Sequence, residues 1–425
     1  DILINIAPHI IKEMRFILPY HKNLRPVWLL KMGMLLYDNL YSSKHIKRSS
    51  YIKIPFHESK STLTDSFKNG FEYSDCITDD ARLTVLNAAD AKRLGGDINT
   101  RTIVKNMEQK KGVWNIEVMD TISNETKYVQ AKVVVNATGP WVDSFLKNHS
   151  KQTKFDNIRL VKGSHIVVKK LFNHSYAYIF QNSDGRVFFA VPWENKFTFI
   201  GTTDVDFKGD LDNFSASDDE INYLCKSANQ YFRSGISSND VIKHWSGVRP
   251  LYHDGSTKAQ KASRDYTIKV DSRDNKSALI NIFGGKMTTF RQLSEEVADK
   301  VGAILGEKKY PWTSDVHLPG GDFSLTEKTK IVDSLAKKYD YLDLDYIQRL
   351  FNSYGTRVEY ILKNVSVIED LGLHFGRDLY QVEVDYLMQE EFALCPEDVL
   401  ERRTKLYLFL DYDKIENLDN YMKNK

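Results

Sequence analysis

Residues 278–289 read ALINIFGGKMTT, and this stretch gives the clearest indication of the fold. Its first half predicts a buried strand, and the helix predicted after it repeats apolar side chains on one face from Phe290 to Leu305. The two glycines between strand and helix let the backbone come close to a flat ring. A helix N-terminus stabilises an anion through its free N–H groups, and Lys286 adds a full positive charge. The element therefore predicts an anion-binding turn of an α/β fold, although an ordinary strand–helix turn with a solvated lysine fits the same residues.

Segments before residue 150 predict a similar mixture of strands and helices. The predicted elements are a helix from Ala81 to Gly95 and strands from Asn99 to Val104, from Val113 to Met119 and from Tyr128 to Val135. The β-branched run that ends the last strand is typical of a strand buried on both faces. It leads into NATGPW at 136–141, whose small residues suit a turn close to a bound group.

The middle of the chain changes to aromatic and β-branched runs joined by short polar turns, a pattern that predicts an antiparallel meander. Its strands are predicted at 176–181, 186–191 and 197–201, after a strand at 158–168 and before an amphipathic helix at 218–232. Beyond Pro311 the chain is acidic and mostly helical by pattern, with helices predicted at 328–339, 345–354 and 382–391.

The composition is that of a folded protein with more than one domain. A chain of 425 residues has room for two or three cores, and 42% hydrophobic with 27% charged residues exclude a disordered or coiled-coil protein. The longest apolar stretch, Trp28 to Tyr37, is interrupted by Lys31 and Gly33 and is too short to span a bilayer. The three scattered cysteines predict neither a disulfide framework nor a zinc site, and they fit a reducing cytosol.

The N-terminal part carries a basic segment with interleaved apolar side chains, a mixture typical of a surface that lies on an anionic membrane. A solvated basic face beside core residues explains the same mixture and is favoured by the residues alone. A nucleic-acid surface is less favoured, because no recognised nucleic-acid module accompanies the charge. The basic residues are Lys12, Arg15, Lys22, Arg25, Lys31, Lys44, Lys47 and Arg48, and the apolar ones are Phe16, Trp28, Leu29, Leu30 and Leu36.

Two arginines are candidates to clamp a phosphate or carboxylate, because a planar guanidinium binds such groups through two hydrogen bonds. They are Arg249 in GVRP and Arg264 in SRDY, and a pair of structural ion pairs would explain them as readily. Asp204 ends a predicted strand and is a candidate to bind a hydroxyl, with a turn cap as the favoured alternative. The histidines lack the spacing of metal ligands, so no metal site is predicted.

Taken together and in this order, nine short blocks resemble the bacterial, FAD-dependent, membrane-associated glycerol-3-phosphate dehydrogenases. Each block is weakly specific by itself, whereas the ordered set is highly specific. The resemblance runs from about Ala7 to about Leu408. The blocks are FEYSDC (71–76), DDARL (79–83), NATGPW (136–141), KGSHIV (162–167), IGTTD (200–204), SGVRPL (246–251), SRDY (263–266), FGGK (283–286) and LPGG (318–321).

The resemblance implies an α/β (α+β) fold with three parts: an FAD-binding Rossmann-like domain that is truncated at its N-terminus, an antiparallel-sheet substrate domain and a helical C-terminal domain. The implied boundaries are 1–150 and 256–308 for the two parts of the FAD-binding domain, 151–255 for the substrate domain and 312–425 for the helical domain. The implied reaction is hydride transfer from C2 of sn-glycerol 3-phosphate to flavin N5, which gives dihydroxyacetone phosphate. The electrons would then pass to ubiquinone or menaquinone in the membrane.

The resemblance also implies roles for particular residues. Arg249 and Lys286 are the implied catalytic residues; Arg249 would contact the phosphate or polarise the C2 oxygen, and Lys286 would lie at the edge of substrate and flavin. Arg264 and His165 join them as implied substrate-binding residues. The residues implied to hold FAD are Ala137, Thr138, Gly139, Gly284, Gly285, Met287 and Thr288. These roles agree with the anion-stabilising turn, because a reduced flavin is an anion.

For partners, the family implies a homodimer docked on the cytoplasmic face of the cytoplasmic membrane, which favours the membrane interpretation of the basic segment. It implies no nucleic-acid partner.

One family motif has no counterpart here, since no GxGxxG occurs in the 425 residues. Its place would be before Asp1, together with the segment that supplies the family's expected general base. We therefore expect the opening βαβ unit to be missing, and the chain alone to bind FAD poorly and to turn over slowly or not at all.

Three alternatives remain from the sequence. A glycerol-3-phosphate oxidase would pass electrons to oxygen, but the later insertion typical of that branch is not evident between Lys286 and Leu318. A gene remnant without activity would act at most as a membrane-associated binding module. An amino-acid oxidase on the same fold is disfavoured by the GVRP and SRDY blocks.

Overall fold

The computed structural model describes residues 1–40, 45–149, 157–253, 264–272 and 277–425. These fall into two compact units. The C-terminal unit contains Asp1–Glu13, Cys76–Thr100 and Trp312–Lys425, and the sheet unit contains Met14–Asp75 and Arg101–Pro311.

The described strands, numbered in chain order, are β1 Ile11–Pro19, β2 Ser50–Lys53, β3 Asn69–Thr78, β4 Thr102–Lys110, β5 Val113–Asp120, β6 Thr126–Ala131, β7 Val133–Asn136, β8 Ile158–Lys169, β9 Ala177–Gln181, β10 Val187–Trp193, β11 Phe197–Gly201, β12 Val205–Asp206, β13 Val241–Tyr252, β14 Thr267–Ser272, β15 Ala278–Phe283, β16 His374–Gly376 and β17 Leu379–Tyr380. The α-helices are α1 Ile2–Ile6, α2 Val27–Leu40, α3 Asp80–Arg93, α4 Val142–His149, α5 Asp218–Asn229, α6 Phe290–Leu305, α7 Lys328–Lys338, α8 Leu344–Tyr354, α9 Val358–Ile361, α10 Gln381–Glu390 and α11 Tyr412–Lys423.

A nine-stranded sheet dominates the sheet unit, with the order β12-β8-β11-β10-β9-β1-β3-β2 and with β13 also paired to β8. The predicted meander is confirmed, because β9, β10 and β11 pair antiparallel in sequence order. Alternate residues of β8 point to opposite faces. Ile166 and Val168 pack into a core with Leu224 and Ala228 of α5. The residues of β8 that alternate with these two, among them Gly163 and His165, therefore lie on the face away from α5.

A smaller sheet has the order β14-β15-β7, and its β7 runs parallel to β15 with Val133 opposite Ala278 and Asn136 opposite Asn281. The single strand predicted from Tyr128 to Val135 is wrong: a bend at Lys132 separates β6, which pairs with β5, from β7. The prediction of burial on both faces also fails, since Val135 is 40% exposed at the edge of the described three-stranded sheet.

The C-terminal unit is built mainly from helices, as predicted. Helices α7, α8 and α10 lie within a few residues of their predicted bounds and share one apolar core. The predicted 81–95 helix is α3, and it groups with this unit because it packs against the segment Asp398–Arg403. Among the described residues, no two of the three cysteines form a disulfide.

Helix α2 contains Trp28, Leu29, Leu30 and Leu36, and none of its residues is buried. The interpretation of the apolar side chains as core residues is therefore wrong for these four, whereas it is confirmed for Phe16 of β1, which is 8% exposed. Trp28 is 67% exposed and Leu36 is 61% exposed. Within the described residues, no helix combines the length and the apolar character needed to cross a membrane.

Candidate active site

Two loops lie side by side at the carboxyl ends of the parallel strands β7 and β15. Asn136 and Asn281, paired in register, are both buried, and Nδ2 of Asn136 donates to Oδ1 of Asn281 over 2.9 Å. Oδ1 of Asn136 accepts from the Thr138 hydroxyl over 2.7 Å. The loop that contains Ala137, Thr138 and Gly139 is thereby fixed beside the carboxyl end of β15. In α/β sheets, ligands bind at this edge.

The Gly284–Gly285 turn at the end of β15 can only be made by glycines without strain. Their φ angles are +71° and +106°, in the region that side chains disfavour. A β-carbon on Gly284 would also lie 2.8 Å from the carbonyl oxygen of Asp265. Residues 285–288 are exposed, and a 3-10 turn, Met287–Thr289, leads into α6. Exposed backbone at the start of a 16-residue helix fits a flat ring with an anionic edge, such as a flavin.

Arg249 on β13 is held at the face of the large sheet. Its Nη1 donates to Oδ1 of Asp204 over 2.7 Å, and its Nη2 donates to the Thr202 hydroxyl over 3.2 Å. A β-carbon on Gly163 would lie 2.9 Å from Nη2 of Arg249. The guanidinium therefore lies directly against the backbone of β8, in space that only glycine leaves free. The carboxylate of Asp204 is thus an arginine partner rather than the turn cap that the sequence favoured.

His165 lies near this guanidinium. Its ring stacks on Phe199 with centroids 4.7 Å apart, and a β-carbon on Gly201 would lie 2.0 Å from a ring carbon. Burial, reinforced by the charge of Arg249, lowers the pKa of His165 to about 4. The imidazole is therefore neutral at pH 7 and able to exchange hydrogen bonds with a hydroxyl group.

A buried carboxylate, Glu220 of α5, supports the opposite face of the same strands. It accepts hydrogen bonds from the hydroxyls of Ser164 and Thr203 over 2.8 and 2.7 Å, and its second oxygen lies 2.8 Å from Nζ of Lys162. Burial alone would raise the pKa of Glu220, but the bonds from Lys162, the Ser217 backbone and these hydroxyls lower it to about 2. The network anchors the residues on either side of Gly163 and His165.

Lys286 and Arg264 belong to residues 256–308, the second part of the predicted FAD-binding domain. Nζ of Lys286 lies 3.6 Å from Oδ1 of Asp265, and both side chains are largely exposed. A β-carbon on Gly284 would lie 3.6 Å from the carbonyl oxygen of Pro250, so the end of β15 lies beside the residue that follows Arg249. Arg264 is exposed, and Ser263 of its block lies outside the described residues. The backbone of Gly284 thus lies next to that of Asp265 and Pro250, while Lys286 forms an ion pair with Asp265 and Arg249 is hydrogen-bonded to Asp204.

Sequence reasoning missed the roles of Thr202, Phe199 and Glu220. The available signal was the presence of Gly163 and Gly201 inside strands, because a strand glycine marks a place where another group comes close. Among the described residues, no cluster of His, Cys, Asp and Glu is arranged to hold a metal ion.

The sequence matches two known protein families. Residues 8–288 match the family described as FAD dependent oxidoreductase, and residues 311–421 match the C-terminal domain of alpha-glycerophosphate oxidase. The chain is 37% identical over its whole length to a glycerol-3-phosphate dehydrogenase of Pseudomonas aeruginosa, of which it covers 82%. It is 38% identical to a D-erythritol 1-phosphate dehydrogenase of Brucella abortus, with 96% of this chain and 82% of that protein covered.

Among solved structures, the crystal structure of a Bacillus halodurans glycerol-3-phosphate dehydrogenase in complex with FAD superposes with a TM-score of 0.80 at 26% identity. The superposition covers 100% of this chain and 79% of that one. The fold class inferred from the sequence is confirmed, and FAD is confirmed as the family's cofactor. The chain belongs to the FAD-dependent oxidoreductases of the glycerol-3-phosphate dehydrogenase family.

Proposed function

We propose that this protein oxidises sn-glycerol 3-phosphate to dihydroxyacetone phosphate. When bound, FAD supplies the oxidant that accepts the hydride from C2. The observation that carries the proposal is the fixed guanidinium of Arg249 beside the neutral ring of His165. A phosphorylated alcohol needs a cationic anchor and a neutral hydrogen-bonding group, and this site offers both.

Each basic residue binds a different part of the phosphorylated alcohol. Arg249, with its hydrogen-bonding fork against the sheet, contacts the phosphate or polarises the C2 oxygen. Arg264 helps to hold the phosphate, and Lys286 lies at the edge of substrate and flavin. His165 offers its ring nitrogens to a substrate hydroxyl, and its lowered pKa keeps the ring uncharged at neutral pH.

The two loops at the carboxyl ends of β7 and β15 hold the cofactor. Ala137, Thr138 and Gly139 pack against the flavin. The glycine pair Gly284–Gly285 lets the ring approach, and the backbone N–H groups of Gly285, Met287 and Thr288 bind its pyrimidine edge. Support for this placement comes from the exposed backbone, the positive φ angles and the position of the loops at the end of two parallel strands.

The test is dye-linked oxidation of sn-glycerol 3-phosphate by the purified FAD-loaded protein. Replacing Arg249 by Ala or Lys should reduce kcat/KM by about a hundredfold, because neither residue can replace the bidentate fork. Arg186→Ala is the matched control, since Arg186 pairs with Asp184 at an exposed turn. Flavin absorbance should be the same in all variants. Full activity of the Arg249 variants, measured against a parent protein that turns over, would contradict the proposal.

A second candidate substrate is a four-carbon polyol phosphate, because the D-erythritol 1-phosphate dehydrogenase is as similar as the three-carbon enzyme. The values of kcat/KM for sn-glycerol 3-phosphate and D-erythritol 1-phosphate decide between them. A preference for the longer substrate would replace the three-carbon assignment and leave the role of Arg249 unchanged.

We further propose that a membrane quinone is the electron acceptor. The alternative acceptor is oxygen, and it is tested by measuring hydrogen peroxide during turnover. Peroxide formed at the rate of substrate oxidation would make the protein an oxidase. Reduction of a soluble ubiquinone or menaquinone analogue without peroxide would support the dehydrogenase.

Docking on the cytoplasmic membrane face is assigned to α2 and the basic residues around it, of which Lys44 lies outside the described residues. Apolar side chains of α2 are exposed, with Trp28 at 67%, Leu36 at 61% and Leu40 at 73%. A surface that combines such side chains with several cations binds anionic lipid in two ways: the apolar side chains are buried among the lipids, and the cations are attracted to the charged headgroups. The protein should therefore sediment with phosphatidylglycerol vesicles at low salt and much less at 0.5 M salt, because salt screens the charge term. Binding that salt leaves unchanged would contradict the electrostatic part.

A pair of variants distinguishes docking through α2 from non-specific binding of vesicles by any exposed apolar side chain. Leu36→Ser should weaken vesicle binding, whereas Tyr128→Ser, at a side chain 80% exposed on β6, should not. A homodimer remains a prediction of the family resemblance, and light scattering after gel filtration tests it.

A further inference from the structure

Asp204 lies three residues after the end of β11, and its carboxylate accepts a hydrogen bond from Arg249. The carboxylate is 13% exposed and the side chain of Arg249 is 34% exposed, so water competes little for the bond between them. The Nη1 of Arg249 donates to Oδ1 of Asp204 over 2.7 Å, a short and charge-assisted contact. The Thr202 hydroxyl accepts from the other terminal nitrogen, so both ends of the guanidinium are fixed.

The backbone beneath the guanidinium completes this support. Gly163 leaves room for the guanidinium to lie flat, since a β-carbon there would come within 3.0 Å of both terminal nitrogens. On the opposite face of the sheet, Glu220 accepts hydrogen bonds from the hydroxyls of Ser164 and Thr203. These bonds fix β8 next to Gly163 and the turn that contains Thr202 and Asp204. An arginine has five N–H donors, and these contacts use two. Three donors remain for a ligand.

We propose that Asp204 is a positioning residue that holds Arg249 in the orientation that binds the substrate's anionic or reacting oxygen. The inference rests on the proposed function, in which Arg249 binds the substrate. An arginine side chain that is free to rotate loses conformational entropy when it binds a ligand, whereas one already fixed loses less. Asp204 therefore acts through Arg249 and touches neither substrate nor cofactor.

The direction in which ligand affinity changes when Asp204 is replaced shows whether Asp204 positions Arg249 or only adds negative charge to the site. Removing a carboxylate beside an anion-binding site adds positive charge, so an effect through charge alone would tighten the binding of an anion. Loss of positioning weakens it instead. The two interpretations therefore predict opposite changes when Asp204 becomes Asn or Ala.

The experiment is a calorimetric titration of the purified full chain, with and without added FAD, using sn-glycerol 3-phosphate and inorganic phosphate as probes. Asp204→Ala should raise the Kd for sn-glycerol 3-phosphate about tenfold, and Asp204→Asn about threefold, because a neutral amide oxygen accepts a weaker hydrogen bond than a carboxylate. Asp206→Asn is the matched control. Asp206 lies two residues further on and forms an equally short double contact with Arg159, outside the candidate site. It should leave the Kd unchanged.

A double-mutant cycle with Arg249→Ala checks that Asp204 acts through Arg249. In that background Asp204→Asn should have no further effect on the Kd, and dye-linked assays of the FAD-loaded protein should show the same pattern in KM. Tighter binding by Asp204→Asn, an unchanged Kd, or an effect that persists without Arg249 would each overturn the inference. If Asp204→Ala fails to fold, Asp204→Asn carries the test. An Arg249→Ala protein that binds the probes normally contradicts the proposed function instead, and the inference falls with it.

Discussion

Arg82 and Glu391 form a two-pronged ion pair in the interior of the C-terminal unit, where each side chain is 1% exposed. Nη2 of Arg82 donates to Oε1 of Glu391 over 2.8 Å, and Nη1 donates to the other carboxylate oxygen. The Nε of Arg82 donates to the carbonyl oxygen of Ser353 over 3.1 Å. The pair joins α3 to residues near the end of the chain, and it explains why α3 belongs to this unit.

Removing one member of this pair should destabilise the protein strongly, because the other charge would stay buried without a partner. We expect Arg82→Met and Glu391→Gln each to lower the free energy of unfolding by about 3 to 5 kcal/mol. The double replacement Arg82→Met with Glu391→Gln should cost less than the sum of the two single changes. Urea denaturation followed by circular dichroism measures all three.

The control for this prediction is an exposed ion pair of the same type. Arg233 and Asp65 also make two contacts, yet Asp65 is 80% exposed. Asp65→Asn should change the stability by less than about 1 kcal/mol. Equal losses at both pairs would show that burial of the Arg82 pair is not what matters.

Local patterns predicted most elements of this fold, since strands and helices depend on periodicities that can be read within ten or twenty residues. The meander, β15 and α8 are examples. The contact between Arg82 and Glu391 has no such local signal, because the two residues are 309 positions apart and neither lies in a periodic position that requires its partner. The division of Tyr128–Val135 into two strands was missed for a related reason: pairing partners, rather than the strand's own residues, decide where it bends.

The candidate site was predicted by its motifs to the extent that each motif carries its own chemistry. Arg249, Lys286 and the glycines are such residues. The interaction of Arg249 with Asp204 could not be predicted, because an aspartate after a strand is equally suited to capping a turn. The supporting role of Glu220 depends on how α5 packs against β8, which is a property of the tertiary structure alone.

A buried histidine should make the stability depend on pH in mildly acidic solution. His9 is 5% exposed, and burial together with the charges of Arg82 and Lys328 lowers its pKa to about 3. Between pH 6.5 and 3 the unfolded chain binds a proton at this residue and the folded chain does not, so its contribution is complete above pH 6.5 and is lost as the pH falls. His9→Leu should remove up to about 1.4 kcal/mol per pH unit of this loss.

Urea denaturation of both proteins at several pH values between 4 and 7 measures the difference. Using the difference matters because His165 and His174, whose pKa values are lowered to about 4, titrate in the same range in parent and variant. Parallel stability curves would mean that His9 is protonated in the folded protein.

Adding a methyl group at Gly163 should impair substrate binding without affecting FAD. In Gly163→Ala the β-carbon would lie 2.4 Å from the Thr202 hydroxyl and 2.9 Å from Nη2 of Arg249, so the guanidinium must move. We expect the KM for sn-glycerol 3-phosphate to rise about tenfold, with flavin content unchanged. Gly235→Ala, which meets nothing within 4 Å, is the control and should keep the parent KM. An unchanged KM in Gly163→Ala would show that the position of the Arg249 guanidinium does not matter for substrate binding.

Adding a methyl group at Gly284 should weaken FAD binding. Gly284→Ala would place a β-carbon at a φ of +71° and 2.8 Å from the carbonyl oxygen of Asp265, so the turn that approaches the flavin must open. Gly306 at the end of α6 has nearly the same φ, +74°, but its β-carbon would meet nothing within 4 Å. Both substitutions should therefore cost about 1 kcal/mol of stability for the unfavourable φ, and Gly284→Ala more because of the contact. Only Gly284→Ala should raise the Kd for FAD, measured by quenching of flavin fluorescence, and equal FAD affinity in the two variants would place the cofactor away from this turn.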